Sequence, residues 1–254
     1  MRHWFMGLTV ALTAAGAGAA DEKAAAVVRK AIEAHGGADN LNRYNAGRYK
    51  MAGTLSLMGM DFEFTGRLAY MPDRFKMVMT SAVAGRGLVI TQVFNGEKFK
   101  HAVTLDGEPL PTPQTEAVKE DLRLTAVLQE AERLTPLLNA KRFAVKAGED
   151  AAVNGKAAAV VVVQPKAVTM EFNLYFDKES GLLAMTRHKG GMPGPDGQPV
   201  EVEVRSVVSD HKPVRGVQVP TRIVIQHNGK TFMSVRLSEY ELTDKIDDKE
   251  FTTD

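Results

Sequence analysis

The stretch VTMEFNLYFD, residues 168–177, alternates apolar and polar side chains without a break. Val168, Met170, Phe172, Leu174 and Phe176 fall on one side, and Thr169, Glu171, Asn173, Tyr175 and Asp177 on the other. Successive side chains of a β-strand leave opposite faces of the sheet, so a period of two marks a strand with one buried face. The same period governs most of the chain. RYKMAGTLSL sets Tyr49, Met51, Leu55 and Leu57 on one side. MDFEFTGRLAYMP does so with Met60, Phe62, Phe64, Leu68 and Tyr70, and DRFKMVMTS with Phe75, Met77 and Met79. Asn95-Gly96, Asp106-Gly107, Asn154-Gly155 and Asn228-Gly229 tolerate the positive φ angles of tight turns, which joins neighbouring strands as hairpins.

Two segments depart from this period. DEKAAAVVRKAIEAHGG returns Ala24, Val27, Val28, Ala31 and Ile32 at three- and four-residue spacing, which predicts a helix, and ADNLNRY predicts a short second turn. After the stiff connector PLPTPQ, TEAVKEDLRLTAVLQEAERLTPLLN is helical again, with a break expected near Thr135 because Pro136 cannot continue a helix. AAAVVVVQP is apolar throughout and is expected to be covered on both faces. GGMPGPDGQP, residues 190–199, reads as a loop. Pro220 suggests a sheet edge or a strand start, and Phe251 a terminal anchor. The fold class predicted is α+β, mainly antiparallel β: a strongly curved, half-open β-barrel covered by the N-terminal and mid-chain helices.

The first twenty residues stand apart. MRHW gives a short basic start, FMGLTVALTAA an apolar run and AGAGAA a small-residue cleavage site, the order of a secretory signal peptide over residues 1–20. The apolar run is too short to span a membrane, and no cysteine follows it to carry a lipid anchor. A single domain over residues 21–254 is expected, periplasmic or secreted. Removing residues 1–20 takes one of the 32 basic residues and none of the 31 acidic ones, leaving a formal charge of zero. That balance argues against a nucleic-acid partner. The chain has no cysteine, which excludes thiol catalysis, iron–sulfur clusters and thiolate zinc sites.

No other chemistry is spelled out. His3, His35, His101, His188, His211 and His227 form no HxH, HxxxH or HExxH pair, and the acidic loops lack calcium-loop spacing. There is no GxSxG elbow and no phosphate loop. No cofactor, no metal and no catalytic residue is predicted. What remains is an apolar sheet face rich in methionine and phenylalanine, side chains that adapt to ligands of varied shape. Two helical segments totalling about forty residues are few to cover nine or more strands. The sheet therefore either packs as an ordinary core or curls around a greasy hollow, and a hollow suits acyl chains.

The order of elements resembles the LolA/LolB-like superfamily of outer-membrane lipoprotein-sorting proteins. The resemblance rests on GRLAYMPDRFKM, with Gly66, Leu68, Pro72, Arg74 and Phe75, and on the Asn95-Gly96 turn of FNGEKF. It continues through Asp177, Gly181, Leu182 and Leu183 of FNLYFDKESGLLAM and ends at Phe251. A tryptophan often seen after the turn is absent, with Phe99 near its place. The resemblance implies a non-catalytic carrier whose cavity accepts acyl chains of a lipid or lipoprotein. The expected lining is Leu55, Leu57, Phe62, Phe64, Leu68, Tyr70, Phe75, Met77, Met79, Met170, Phe172 and Leu174, with Arg74 at the rim for a polar head group. A monomer with transient membrane contact fits this reading. The alternative is an envelope scaffold that binds a partner protein through the sheet edge near Pro220 or through the 190–199 loop.

Overall fold

The computed structural model describes residues 16–57, 59–193 and 199–253. The predicted leader thus lies outside the described residues except for residues 16–20, which fall in the first helix. The helices are α1 (Gly16–Ala34), α2 (Ala38–Arg43) and α3 (Glu116–Glu132). The first strands are β1 (Ala46–Leu57), β2 (Met60–Met71), β3 (Arg74–Val83), β4 (Arg86–Phe94), β5 (Phe99–Leu105) and β6 (Glu108–Leu110). After α3 come β7 (Phe143–Ala147), β8 (Ala151–Val153), β9 (Lys156–Pro165), β10 (Phe172–Asp177), β11 (Leu183–Pro193) and β12 (Pro199–Ser209). The last are β13 (Lys212–Val214), β14 (Val217–Val219), β15 (Arg222–His227) and β16 (Lys230–Thr243).

Fourteen strands form one antiparallel sheet in the order β6-β5-β4-β3-β2-β1-β16-β15-β12-β11-β10-β9-β7, with β8 also paired to β9. The sheet curves without closing into a barrel, and β13 and β14 form a separate small hairpin. The sequence dictates most of these connections. Asp106-Gly107, Asn154-Gly155 and Asn228-Gly229 each make a two-residue turn, the first residue near φ 50° and the glycine near 80°. That pair of left-handed residues matches the twist of the flanking strands. Asn95-Gly96 makes a longer turn, in which the Asn95 side chain accepts a hydrogen bond from the Lys98 amide at 3.0 Å.

The two halves of the concave face are covered differently. In one half, α1 lays Ala24, Val28, Ala31 and Ile32 on Val161 and Val163 of β9 and on Phe172, Leu174 and Phe176 of β10. The apolar side of VTMEFNLYFD therefore meets a second layer, contrary to the expected hollow. Its three strand residues are wholly buried against the protein's own helix, each such side chain contributing ~1.5–3 kcal/mol. β9 is buried on its other face too, through Ala158 and Val160 packed with Tyr175 and Met185. In the other half, Met51, Phe64, Leu68, Met79, Val235 and Leu237 form a separate cluster. α3 crosses beside it and seals Phe75 and Phe94 under Leu122 and Ala126. On the convex face, Phe251 and Ile246 pack on Ala46, Ala69 and Val93, so the terminal anchor is in place.

Three other expectations meet different outcomes. α3 stops at Glu132 and a 3-10 turn runs from Thr135 to Leu138, the break that Pro136 requires. Pro220 lies in the connection just before β15, the strand start of the two options, and not at a sheet edge, because β15 is bonded to β12 on one side and β16 on the other. The loop expected over 190–199 is shorter: Gly190–Pro193 pair with Pro199–Val202 as arms of one hairpin.

Two polar fixtures hold the helices to this frame. His35, at the C-terminal end of α1, is buried. Its Nδ1 lies 2.8 Å from the Ala31 carbonyl, which can only accept, so Nδ1 carries the proton. Nε2 then accepts from the Leu183 amide at 3.4 Å, and the His35 carbonyl accepts from the Gln218 amide at 3.0 Å. The second fixture is Glu130 of α3, gripped by both Nε and an Nη of Arg142 at 2.6 Å. Arg142 reaches on to Asp73 in the β2–β3 turn, also at 2.6 Å.

Both fixtures make testable statements. Burial, helped by the neighbouring His211 ring and opposed by the Ala31 hydrogen bond, pushes His35 down to about 4. A depressed histidine contributes stability that is complete above the unfolded value of 6.5 and declines as pH falls toward 4. Urea unfolding should therefore lose about 2 kcal/mol from this group between pH 7.5 and 5. His188, also near 4, adds in the same direction. His35→Gln should be less stable at pH 7.5 yet show a shallower decline. Arg142→Ala leaves the Glu130 carboxylate buried without its partner and should cost about 3 kcal/mol in the same assay. Arg142→Lys, which cannot make the two-pronged contact, should recover only part of that loss.

Candidate functional site

Two hollows open on the concave face, and one packed cluster borders both. The first, about 250 Å³, is lined by Leu55, Met60, Phe62, Phe64, Met79, Ser81, Val83, Leu88 and Ile90 of β1 to β4. Strand register builds it: Leu55 pairs with Phe62, Phe64 with Ser81, Ser81 with Leu88, and Met79 with Ile90. Directly opposed residues share a face, so four strands present one apolar wall. Met60 stands at its lip, 56% exposed. Ser81 is the single polar residue in the lining, and its hydroxyl is turned onto the Glu63 carbonyl at 2.7 Å. The rest of the wall is hydrocarbon and thioether.

The second hollow, about 160 Å³, lies deeper, among α1, α2, α3, the β13–β14 hairpin and the centre of the sheet. Its apolar lining includes Leu41, Leu183, Val208, Val219, Ile223 and Leu237. Against this stand Tyr49, Tyr70, Tyr240, Glu132, Arg133, His35 and His211. A bulge in β16 brings Tyr240 here. The register of β1 and β16 shifts between Arg48 and Lys50, opposite Glu239 at φ 50°, and alternation changes parity there. Leu237 and Tyr240 consequently both face inward. The Tyr49 ring centre lies 5.2 Å from that of Tyr240 and 6.3 Å from that of Tyr70.

The electrostatics of this hollow are unusual. Glu132 is exposed and lines this hollow, and desolvation by the surrounding protein pushes its carboxyl up to about 7. Burial also raises Tyr70 to about 12 and pushes Tyr49 and Tyr240 higher. The Tyr240 hydroxyl donates to the Pro220 carbonyl at 2.6 Å. Arg133 donates to the Asn45 carbonyl at 2.7 Å. Burial lowers both His35 and His211, so both are neutral at pH 7. Among the described residues no group of three or more potential metal ligands converges anywhere.

The residues expected to bind ligand are thus divided. Leu55, Phe62, Phe64 and Met79 line the apolar hollow, and Leu68 and Met77 belong to the cluster beside it. Leu57 ends β1 at the same end of the sheet. Tyr70 borders the deeper hollow. Phe75 is sealed under α3, and Phe172 and Leu174 under α1, so these three line neither cavity. Met170 lies half-buried in the connection before β10. Arg74 is on the convex face, because its neighbour Phe75 points inward, and it pairs with Asp248 of the C-terminal turn at 3.0 Å. Sequence reading missed Val83, which lies beyond the stretch of β3 that it read, and Leu88 and Ile90, whose strand β4 was recognised without its inward parity. It also missed Glu132, which looks like an ordinary solvent-facing helix residue until the hollow is seen.

No protein-family model matches the sequence, and no curated protein matches it. The fold does have solved counterparts. A DUF1329 family protein from Desulfovibrio piger superposes with a TM-score of 0.54 at 11% identity, covering 90% of this chain and 97% of the other. A putative outer membrane lipoprotein-sorting protein domain from Vibrio parahaemolyticus gives 0.51 at 11% identity, covering 91% and 97%. A LolA superfamily protein from Nitrosomonas europaea gives 0.48 at 13% identity, covering 90% and 97%. Identities this low speak to architecture alone: the chain shares the fold of the Desulfovibrio and Vibrio proteins, an open curved sheet with helices lying in its concavity.

Proposed function

We propose that this protein is a non-catalytic binding or carrier protein for a hydrophobic ligand, namely the acyl chain of a lipid or lipoprotein, acting in the periplasm or outside the cell. The observation that carries the reading is the hollow of about 250 Å³, lined by eight apolar residues and one serine whose hydroxyl is already bonded. Its volume falls just below the ~300–1,000 Å³ usual for small-molecule sites, which suits a segment of one chain. Each methylene entering it would gain ~0.8 kcal/mol, about fourfold in affinity. The leader-like residues 1–20 support export. The fold shared with a lipoprotein-sorting domain is compatible with such cargo.

Titration of delipidated protein with a fluorescent fatty acid tests the proposal. Saturable binding is expected, strengthening about fourfold per added methylene until the hollow is full. Phe62→Asp sets a charge in the wall at a half-buried position and should weaken binding by about tenfold or more while leaving the melting temperature within a few degrees. Absence of saturable binding in the unmodified protein, or an unaltered affinity in the variant, would overturn it.

A further inference from the structure

The deeper hollow contains a carboxyl group without a partner. The buried acid two residues earlier on the same helix shows what is missing. Glu130 faces into protein and meets the Arg142 guanidinium with two bonds of 2.6 Å. Glu132 is solvent-exposed, lines the hollow and makes no hydrogen bond or ion pair. Arg133, next in sequence, is aimed at the Asn45 carbonyl and toward Glu130, Asp73 and Tyr70. The groups nearest Glu132 in charge terms are instead the Tyr49 and Tyr240 phenols. A cation entering the hollow therefore meets a carboxylate that no protein group has already paired. Three tyrosine rings line the same space, and aromatic faces attract cations.

We infer that this hollow binds a compact organic cation, an alkylated ammonium group, held by the Glu132 carboxylate among the rings of Tyr49, Tyr70 and Tyr240. The size agrees: about 160 Å³ is close to cavities (~150 Å³) that accept a benzene-sized guest. The wall already makes this kind of contact, since the Arg43 and Arg215 guanidinium groups lie 5.4 and 5.6 Å from the centre of the Tyr44 ring. The remaining polar neighbours do not compete. His35 and His211 are neutral at pH 7, Gln129 and Gln218 are uncharged, and the Tyr240 hydroxyl is engaged with Pro220. Arg133 is the one cation in the lining. Its bond to Asn45 and its attraction to Glu130 and Asp73 draw it away from Glu132. The inference does not depend on the acyl-chain reading.

Calorimetric titration with choline and with its neutral isostere 3,3-dimethylbutan-1-ol separates charge recognition from mere fit. At pH 8.5 choline should bind about tenfold tighter or more than the alcohol. Because the free carboxyl sits at about 7, choline should bind about thirtyfold more weakly at pH 5.5. Over that range His35 stays neutral and the tyrosines stay protonated, while burial holds His211 below its ordinary value. Circular dichroism checks that the fold is retained at both pH values. Glu132→Gln should erase both the preference for choline and its pH dependence. Tyr49→Phe should keep choline binding and Tyr49→Leu should weaken it several-fold. A long-chain alkyltrimethylammonium probe identifies the source of the cation. Much tighter binding that Phe62→Asp abolishes would assign the head group of an amphiphile, and affinity equal to choline would assign a free small cation. Equal binding of choline and the alcohol, or no choline binding by protein that still takes up the fatty acid, would overturn the inference.

Discussion

The antiparallel pairing of β1 with β16 is the constraint on which the rest of the structure depends. Without it the chain would hold two separate meanders, β1 to β6 and β7 to β16, each with an edge to protect. With it, Met51 stands opposite Leu237 and Leu55 opposite Met233, and a single concave wall crosses from one half to the other. The seam is tight. A side chain at Gly53 would meet the Ser234 carbonyl oxygen at 1.9 Å, so only glycine fits there. The one irregularity in the seam, the bulge at Glu239, turns Tyr240 and Leu242 inward and so furnishes the deeper hollow. Without that parity change the Tyr240 ring would leave the sheet on the convex side, and the tyrosine lining would lose a member.

Helix α3 ties this wall to charge. It enters through Thr115, whose hydroxyl accepts from the Val118 amide at 3.4 Å, and ends just before the turn that Pro136 enforces. Its last turn carries Glu130 and Glu132, two residues apart and hence on different sides of the helix. One is neutralised by Arg142, which also holds the β2–β3 turn through Asp73. The other is left facing the hollow. The strut that keeps the helix in place thereby also fixes where the unpaired carboxyl stands.

What could be read from the sequence is what depends on local chemistry. The Asn-Gly and Asp-Gly turns, the strand periods, the α3 break at Pro136 and the Phe251 anchor all follow from neighbouring residues. So does the apolar set Leu55, Phe62, Phe64 and Met79, which two consecutive hairpins bring to one face. Phe172 and Leu174 share that period, but what covers them depends on where α1 docks some 140 residues away, and no periodicity records that. Arg74 was misplaced for a simpler reason. Its neighbour Phe75 points inward, so alternation sends the guanidinium to the other face, where the C-terminal turn supplies Asp248. Glu132 and Tyr240 were hidden because one needs the tertiary hollow and the other a bulge before its direction is defined.

The uneven cover of the concave face decides how the two hollows differ. α1 is rich in alanine and valine, small enough to lie flat on β9 and β10 and leave no room beneath. No helix among the described residues reaches the distal ends of β1 to β4, so the wall there is finished by side chains alone. Several of these are methionines: Met51 and Met79 in the cluster, Met77 and Met233 packed against it, and Met60 at the lip. Unbranched thioether chains can shift rotamer at little cost, whereas branched residues in the same places would fix one shape. A surface built this way can close on itself when empty and open for an acyl chain when one arrives. The tyrosine-lined hollow has rigid rings and a carboxylate instead, so on the proposed reading it would select by charge where the methionine wall would select by greasiness.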